Sequence, residues 1–463
     1  MLLRNQSVRF KFINFIDFVR LSIVEFYSYL LMVALILGIF LTSYTGKKAT
    51  EILSFNLADG NCKTGVEGIG NHCFGDFYYS LNFALESNPW LNNVNMYPPV
   101  SNFFFKPFSL IRNHIPIGNL SLVIYYMICL VGIIFIIRDL AKWFNLGKPE
   151  IAQISVFVFT SAPILAAIDR GNNQLFLLPM IYWFYKYCVL ENTKKAFFIG
   201  LLLVLFKPHF ILLGLFFLRH QSLKKFISWN IIGGLSSLLA FVLYPRDITT
   251  NFQTYVNKLI DFQNYIPAGT MEVPNLSLPN TIVIFQRFIN ILIFGHDIPL
   301  QDRRYPGLIF TLVTLVLVIL ALRYGGRSDT KLKTLLFCTL LPLSLPNIVF
   351  GYYLVGLIPF YLVYFAQLKN PQREIELGIN TSFGLSRFSS ILILSLLGFG
   401  FIPWQIPWSA LPIPSQFAVG DISVSWFLAP LSLALLLFSF LVPSLINVLR
   451  NIRLILKNFS KID

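Results

Sequence analysis

Charge is what this chain has least of. Asp, Glu, Lys and Arg make up 12% of its 463 residues, about half the roughly 25% of a soluble globular domain. Hydrophobic residues make up 56% and mean hydropathy is +0.68, which excludes a soluble fold. Motifs for several chemistries are missing too. There is no G-x-x-x-x-G-K-[ST], no G-x-G-x-x-G opening a helix and no H-E-x-x-H, so nucleotide and zinc-protease chemistry have no carrier. No G-x-S-x-G supplies an acyl-transfer nucleophile. Of only five cysteines, Cys129, Cys188 and Cys338 sit in apolar segments as packing residues. Cys62 and Cys73 share one polar loop, where a disulfide could persist on an oxidising side. With neither paired His nor a dense carboxylate cluster, a protein-held metal has little support.

What is present is a series of apolar runs of about 17–22 residues, each long enough for the ~30 Å hydrocarbon core of a bilayer. Alternating strand patterns are absent, so the expected fold class is an all-α integral membrane protein, 1–463 as a single polytopic domain. Twelve helices are expected. They are Ile23–Leu41 (read as a signal anchor), Leu120–Ile137, Ile151–Ile168, Leu175–Leu190, two half-spans within Ala196–Leu218, Phe226–Tyr244, Gly307–Leu322, Thr334–Phe350, Tyr352–Ala366, Ile391–Ile402 and Trp426–Ile446. The pair of half-spans is a hairpin turning at Lys207-Pro208-His209, because a single crossing would strand Arg219, Lys224 and Lys225 outside. Helices broken in this way are tolerated where they line a cavity.

The net charge of +15 follows the positive-inside pattern rather than a nucleic-acid footprint. Alternating the loops puts Arg4, Arg9, Lys11, Lys194, Lys195, Lys224, Lys225, Lys331, Lys333, Arg450, Arg453 and most other basic residues on one side, while the opposite side balances to zero. Both termini are therefore expected in the cytoplasm, with the protein in the cytoplasmic membrane. Two outer segments, 44–119 and 245–306, are long enough to be functional. Surface helices are expected in these, the first and fourth extracytoplasmic loops. One carries Phe77, Leu81, Ala84 and Leu85 at helical spacing, and Pro98-Pro99 stops any helix before Phe103-Phe104-Phe105, which would dip into the interface. The other is Asn280–Phe294, with Arg287 among apolar residues. Trp404 and Trp408 suit a headgroup-level loop before the last helix.

The polar oddities all gather on the outer side: Asp76, Tyr97-Pro98-Pro99, the run Asp169-Arg170-Gly171-Asn172-Asn173-Gln174, Lys207 and His209, then Asn275, Ser277, Asn280, Asn347, Tyr352 and Tyr353. A charge in membrane-compatible sequence costs about 2.5–3.5 kcal/mol even on lenient insertion scales and usually marks function. Cations beside amides suit a phosphate. A carboxylate facing them suits a lipid-phosphate-linked sugar: Lys207 and Arg170 would stabilise the leaving phosphate, Asp76 would take the proton of an attacking hydroxyl, and the amides would hold sugar hydroxyls.

At these residues the chain resembles the polyprenol-phosphate-mannose-dependent mannosyltransferases, glycosyltransferase family 87 within the GT-C superfamily. The likeness rests on the Asp76 loop with Tyr97-Pro98-Pro99, on Arg170-Gly171-Asn172-Asn173-Gln174, on Lys207-Pro208, and on Asn275-Leu276-Ser277-Leu278 and Tyr352-Tyr353-Leu354, in order across roughly residues 20–365. Family members usually read Gly-Gln-x-Asn where this chain reads Gly171-Asn172-Asn173-Gln174. The resemblance implies that Asp76 is the general base of an inverting transfer and that Lys207 contacts the donor phosphate. It places Arg170, Asn172, Asn173, Gln174, His209, Tyr97 and Tyr352 around the donor. The partners would be a polyprenyl-phosphate-linked sugar, most simply mannose, an extracytoplasmic acceptor and the lipid bilayer. Neither a metal nor another cofactor is expected, because Lys207 and Arg170 can neutralise phosphate.

Plainer readings compete. Asp76 could cap a surface helix, Asp169 and Arg170 could pair locally, Lys207 could snorkel to headgroups, and His209, Tyr352 and Tyr353 could be structural or interfacial. The rival function is a transporter or flippase of lipid-linked glycans, which also uses broken helices. Polar residues confined to one face, with no internal repeat, favour the enzyme.

Overall fold

The computed structural model of the chain describes residues 25, 27–45, 74–91, 95–115, 117, 119–245, 247–265, 277–295, 304–324, 331–346, 351–370, 387–402 and 425–459. No strand occurs among them. In chain order the helices are α1 (Tyr27–Thr45), α2 (Gly75–Ala84), α3 (Pro99–His114), α4 (Leu120–Phe144), α5 (Lys148–Thr160), α6 (Ala162–Arg170), α7 (Gln174–Val189), α8 (Thr193–Phe206), α9 (Leu215–His220), α10 (Leu223–Leu239), α11 (Ile248–Tyr265), α12 (Leu278–Phe294), α13 (Arg304–Tyr324), α14 (Lys331–Ser344), α15 (Ile358–Lys369), α16 (Arg387–Gly400) and α17 (Ser425–Phe459). Five helical segments are long and apolar enough to cross a membrane: Tyr27–Thr45, Leu120–Phe144, Leu223–Leu243, Gly351–Lys369 and Leu428–Asn451. The bent pair α5–α6 makes a sixth. The chain is a helical membrane protein, and its described helices supply up to six crossings by length and composition.

The expected continuous helix Ile151–Ile168 is bent by 50° between α5 and α6. Ser161 there is extended (φ −72°, ψ 135°) and Pro163 lies in the first turn of α6. Proline has no N–H to bond back to Phe159 and its ring crowds that carbonyl, so one straight helix cannot run through position 163. The freed Ala162 N–H donates to the Phe401 carbonyl at 2.8 Å.

Helix α7 lies at the centre of the bundle. Tyr182 and Lys186 reach Asp139 of α4, with Lys186 Nζ 2.7 Å from Oδ2. Tyr185 donates to the Leu335 carbonyl of α14. A Cβ at Gly132 of α4 would come within 2.7 Å of Pro179 Cγ, so α4 and α7 approach closely because that position has no side chain. At the same end of the bundle Asn370 donates to the Phe144 carbonyl that closes α4, and Lys369 pairs with Glu25.

The run 196–218 is a hairpin. Lys207 is extended (φ −148°, ψ 104°) after α8, and Pro208–Gly214 forms a 3₁₀ stretch leading into α9. Thr193 donates to Gln221 Oε1 at 3.1 Å, and the rings of Phe197 and Phe217 lie 6.0 Å apart. A straight helix would separate the first pair by about 42 Å and the second by about 30 Å at 1.5 Å rise per residue. Side-chain caps start both flanking helices: Asn192 accepts from Lys195 N–H and Ser222 from Lys225 N–H.

The segments expected to form the outer loops differ from expectation in three places. Helix α2 forms, but Phe77, Leu81 and Ala84 are buried against protein, beside Phe105, Phe108 and Tyr125, while Leu85 faces outward. Pro98-Pro99 begins a helix instead of stopping one, since Pro99 sits at the first position of α3, where its missing N–H is harmless. Phe103-Phe104-Phe105 therefore lies within α3: Phe105 is fully buried and Phe104 packs 4.2 Å from Phe176. Within the expected loop Pro245–Pro279, the polar segment Ile248–Tyr265 is helical, introduced by Asp247, whose carboxylate accepts from Thr250 N–H at 3.1 Å. The segment Asn280–Phe294 is helical as part of α12, which Ser277 caps through Asn280 N–H. The last helix runs through the basic tail to Phe459. Cys62, Cys73, Trp404 and Trp408 lie outside the described residues.

Candidate active site

Asp76 is the second residue of α2, inside the helix; the N-cap position belongs to Phe74, which is left-handed (φ 66°). The carboxylate turns to α6. Arg170 grips it with a fork, Nη2 to Oδ1 at 2.8 Å and Nε to Oδ2 at 3.1 Å, and Asn172 Nδ2 donates to Oδ2 at 2.6 Å. Both charged side chains are 15% exposed. Three donors take three of the roughly four lone-pair sites of the carboxylate, leaving one on Oδ1. Arg170 thus pairs with Asp76, 94 residues away in sequence. Asp169 is buried, and its carbonyl accepts from Phe74 N–H at 2.6 Å, tying the start of α2 to the end of α6.

The turn after α6 explains why the motif reads Arg-Gly-Asn. Gly171 is left-handed (φ 65°); its N–H donates to the Ile168 carbonyl and that of Asn172 to the Ala167 carbonyl, the paired bonds of a Schellman helix end. A Cβ on Gly171 would lie 2.6 Å from Phe77 Cβ. Gly171→Ala is therefore expected to lower the apparent Tm in detergent, because left-handed strain of about 1–2 kcal/mol adds to a clash that must push α2 and Asp76 away. An unchanged Tm would mean that the two helices are not held in this contact.

Asn172 is the hub. Its Nδ2 also donates to the Tyr97 hydroxyl at 3.2 Å, its Oδ1 accepts from Gln174 N–H, and its carbonyl accepts from Tyr125. Asn173 donates to Ser101 Oγ at 2.6 Å. Asn173 Oδ1 and Gln174 Oε1 are buried with no hydrogen-bond partner among the described residues. Tyr97 is held by its backbone: its carbonyl accepts from Trp90 Nε1 and Asn102 Nδ2, and its N–H donates to Asn95 Oδ1. Burial, reinforced by the Asp76 carboxylate, pushes the Tyr97 phenol well above its ordinary range, so it stays protonated.

Two adjacent tyrosines of the 3₁₀ turn Gly351–Leu357 link the two cations of the site. Arg170 Cζ lies 5.2 Å from the Tyr352 ring centre, and Lys207 Nζ lies 4.4 Å from that of Tyr353. Both distances suit a cation over an aromatic face. Lys207 is 5% exposed, and its ammonium has no hydrogen-bond partner among the described residues. His209 is half-buried beside the same ring, 6.0 Å from Tyr353.

The structure thus brings Asp76, Tyr97, Arg170, Asn172, Asn173, Gln174, Lys207, His209 and Tyr352 into one neighbourhood. Arg170, expected beside the phosphate, holds the Asp76 carboxylate with its Nε and Nη2. Asn275 and Asn347 lie outside the described residues, and Ser277 serves as a helix cap. Sequence reasoning missed Ser101, Asn102 and Trp90, which hold Asn173 and Tyr97. The available signal was polar Ser101 and Asn102 beside an aromatic run that reads as interfacial. Among the described residues no three His, Cys, Asp or Glu side chains gather at metal-binding distance.

The fold and this cluster define a polytopic membrane protein with a carboxylate, amides and a buried cation converging on one place. Comparison with known families gives the particular assignment. The profile of glycosyltransferase family 87 matches residues 95–346, more than half of the chain, and the chain belongs to that family. It is a membrane glycosyltransferase. Tyr97, the Arg170–Gln174 turn and Lys207 fall inside the match, whereas Asp76 and Tyr352 lie outside it. No curated protein matches the chain.

Proposed function

We propose that the protein transfers mannose from a polyprenyl phosphate to an acceptor hydroxyl on the extracytoplasmic face, with inversion at the anomeric carbon. The acceptor oxygen bonds to the anomeric carbon as its proton passes to Asp76 Oδ1, the oxygen with a remaining lone pair. The bond from that carbon to the phosphate oxygen breaks, and polyprenyl phosphate leaves with one more negative charge. Lys207 meets that charge, a task for which a buried, preorganised cation is suited. Arg170 and Asn172 orient the carboxylate, so the Arg170 role becomes positioning of the base. Asn173 Oδ1 and Gln174 Oε1 are placed to accept from sugar hydroxyls.

The observation that carries this reading is the meeting of Asp76, from the first outer loop, with the Arg170–Gln174 turn, while Lys207 beside them keeps an ammonium without a hydrogen-bond partner among the described residues. The deciding experiment offers purified protein in detergent polyprenyl-phosphate mannose with glycan, lipid or peptide acceptors and follows the new anomeric linkage. Transfer with inversion is expected. Absence of transfer to every acceptor, with binding of lipid-linked glycan instead, would favour a transporter.

The same proposal fixes topology. Both termini, Lys194 and Lys331 belong in the cytoplasm, and Asn95 and Asn275 outside. Asn95 is buried and Leu91 is 66% exposed, so Leu91→Cys is the better outer probe. In a Cys-free background, an impermeant maleimide on intact cells should label position 91 and spare positions 194 and 224. Labelling at 194 would overturn the scheme, and labelling at 224 alone would overturn the return of the hairpin to the inner side.

A further inference from the structure

We infer that Trp229 is the positioning residue for Lys207: its indole sets the gap between the two arms of the hairpin and holds the turn that carries the cation. Trp229 of α10 is 1% exposed, and its Nε1 donates to the Ile211 carbonyl, inside the 3₁₀ stretch after Lys207, at 2.8 Å. The two arms meet the ring at two glycines. A Cβ on Gly200 of α8 would lie 2.2 Å from Trp229 Cη2, and one on Gly214 would lie 2.0 Å from Cδ1. Gly200 and Gly214 stand seven residues before and after Lys207, so the indole is clasped by both arms at matching distances from the turn. Phe197 of one arm and Phe217 of the other each lie 5.2 Å from the indole, and Phe184 of α7 closes the cluster at 6.3 Å.

Lys207 has no hydrogen bond of its own among the described residues to fix its ammonium. Its place is dictated by the backbone of the turn and by the Tyr353 ring. The side chain that controls the turn therefore controls where the cation stands. An interior side chain that only filled space would make its apolar contacts without the bond to Ile211 and without both arms lacking a Cβ where the ring passes.

The inference rests on the proposed role of Lys207 toward a donor phosphate, so its test has one arm that needs no turnover. Trp229→Phe keeps an aromatic ring and removes the N–H. In the purified full-length chain, this variant should raise the KM for polyprenyl-phosphate mannose about fivefold, the equivalent of one net hydrogen bond. Its kcat should hold within about twofold, the signature of lost uniform binding. Combined with Lys207→Ala, it should add no further rise, because sites acting through one group are non-additive. An additive rise, or a fall in kcat at constant KM, overturns the inference. In the second arm, Lys207→Cys in a Cys-free background is labelled with an aqueous thiol reagent, with and without Trp229→Phe. Faster labelling in the Phe variant is expected, and an unchanged rate overturns the positioning role whether or not the wild-type chain uses that donor. If the labelling rate rises while the wild-type chain turns over no polyprenyl-phosphate sugar, the functional reading alone fails.

Discussion

Asp76→Asn should lower turnover per folded molecule by at least about 10²-fold, the lower bound usually contributed by a placed general base. A hydroxyl attacks an anomeric carbon poorly unless its proton leaves as the bond forms, and an amide cannot take that proton. The structure adds a complication that the sequence did not show. The same substitution breaks the fork from Arg170, and stranding a partly buried cation destabilises a fold. Both side chains retain some exposure and the Tyr352 ring still faces the guanidinium, so the loss of stability should be smaller than for a sealed pair. Arg170→Gln is the necessary companion. It removes the same ion pair but keeps the carboxylate, so it should lose comparable thermal stability and retain much more activity. Glu86→Gln, on the half-exposed turn after α2, should be neutral. If Asp76→Asn and Arg170→Gln fell equally in turnover, Asp76 would be a structural partner of the arginine rather than the base.

Lys207→Met should separate stability from function in opposite directions. A buried ammonium without a hydrogen-bond partner carries an unrecovered desolvation penalty. Methionine is similar in length and apolar, so the variant should unfold at a higher temperature. It should also lose the donor: a charge-assisted bond to phosphate contributes about 1.5–3 kcal/mol, so the donor KM should rise roughly 10- to 100-fold. Lys207→Arg should recover part of that affinity by restoring charge, although the fork of its guanidinium suits different geometry. Donor titration and a thermal melt on the three proteins provide the check. A Met variant that melts lower, or that keeps wild-type donor dependence, would reduce Lys207 to a packing residue.

Much of this site was legible because its chemistry is out of place in apolar sequence. A lysine before Pro208 within an apolar run, and Arg170 beside three amides, stand out where burial of charge is costly. The hairpin was legible for a related reason, since Arg219, Lys224 and Lys225 had to return to the basic side. What could not be read was which groups meet. Asp169 lies next to Arg170 in sequence, yet the end of α6 directs the arginine to Asp76, and only the three-dimensional turn at Gly171 decides that. Helix α2 was legible from its period, but not that its apolar face would meet Phe105 and Tyr125 instead of lipid. Periodicity identifies an apolar face without naming what covers it. The proline pair was misread because proline at the first turn of a helix and proline after its end look alike in a short segment. Helix α11 escaped because its composition is polar, although Phe252, Tyr255 and Leu259 follow helical spacing.

The carbonyl of Phe401 that receives Ala162 N–H, and the two rings of the Tyr352-Tyr353 turn, all lie beyond residue 346, where the family match ends. A fragment trimmed to that boundary would keep Arg170 and Lys207 while discarding the surfaces both cations rest on and the anchor at the bend before Arg170. Truncation designs, and comparisons among relatives that stop at the matched segment, would thus omit part of what shapes the cluster; the smallest useful fragment has to run at least through α16 and on to Phe401.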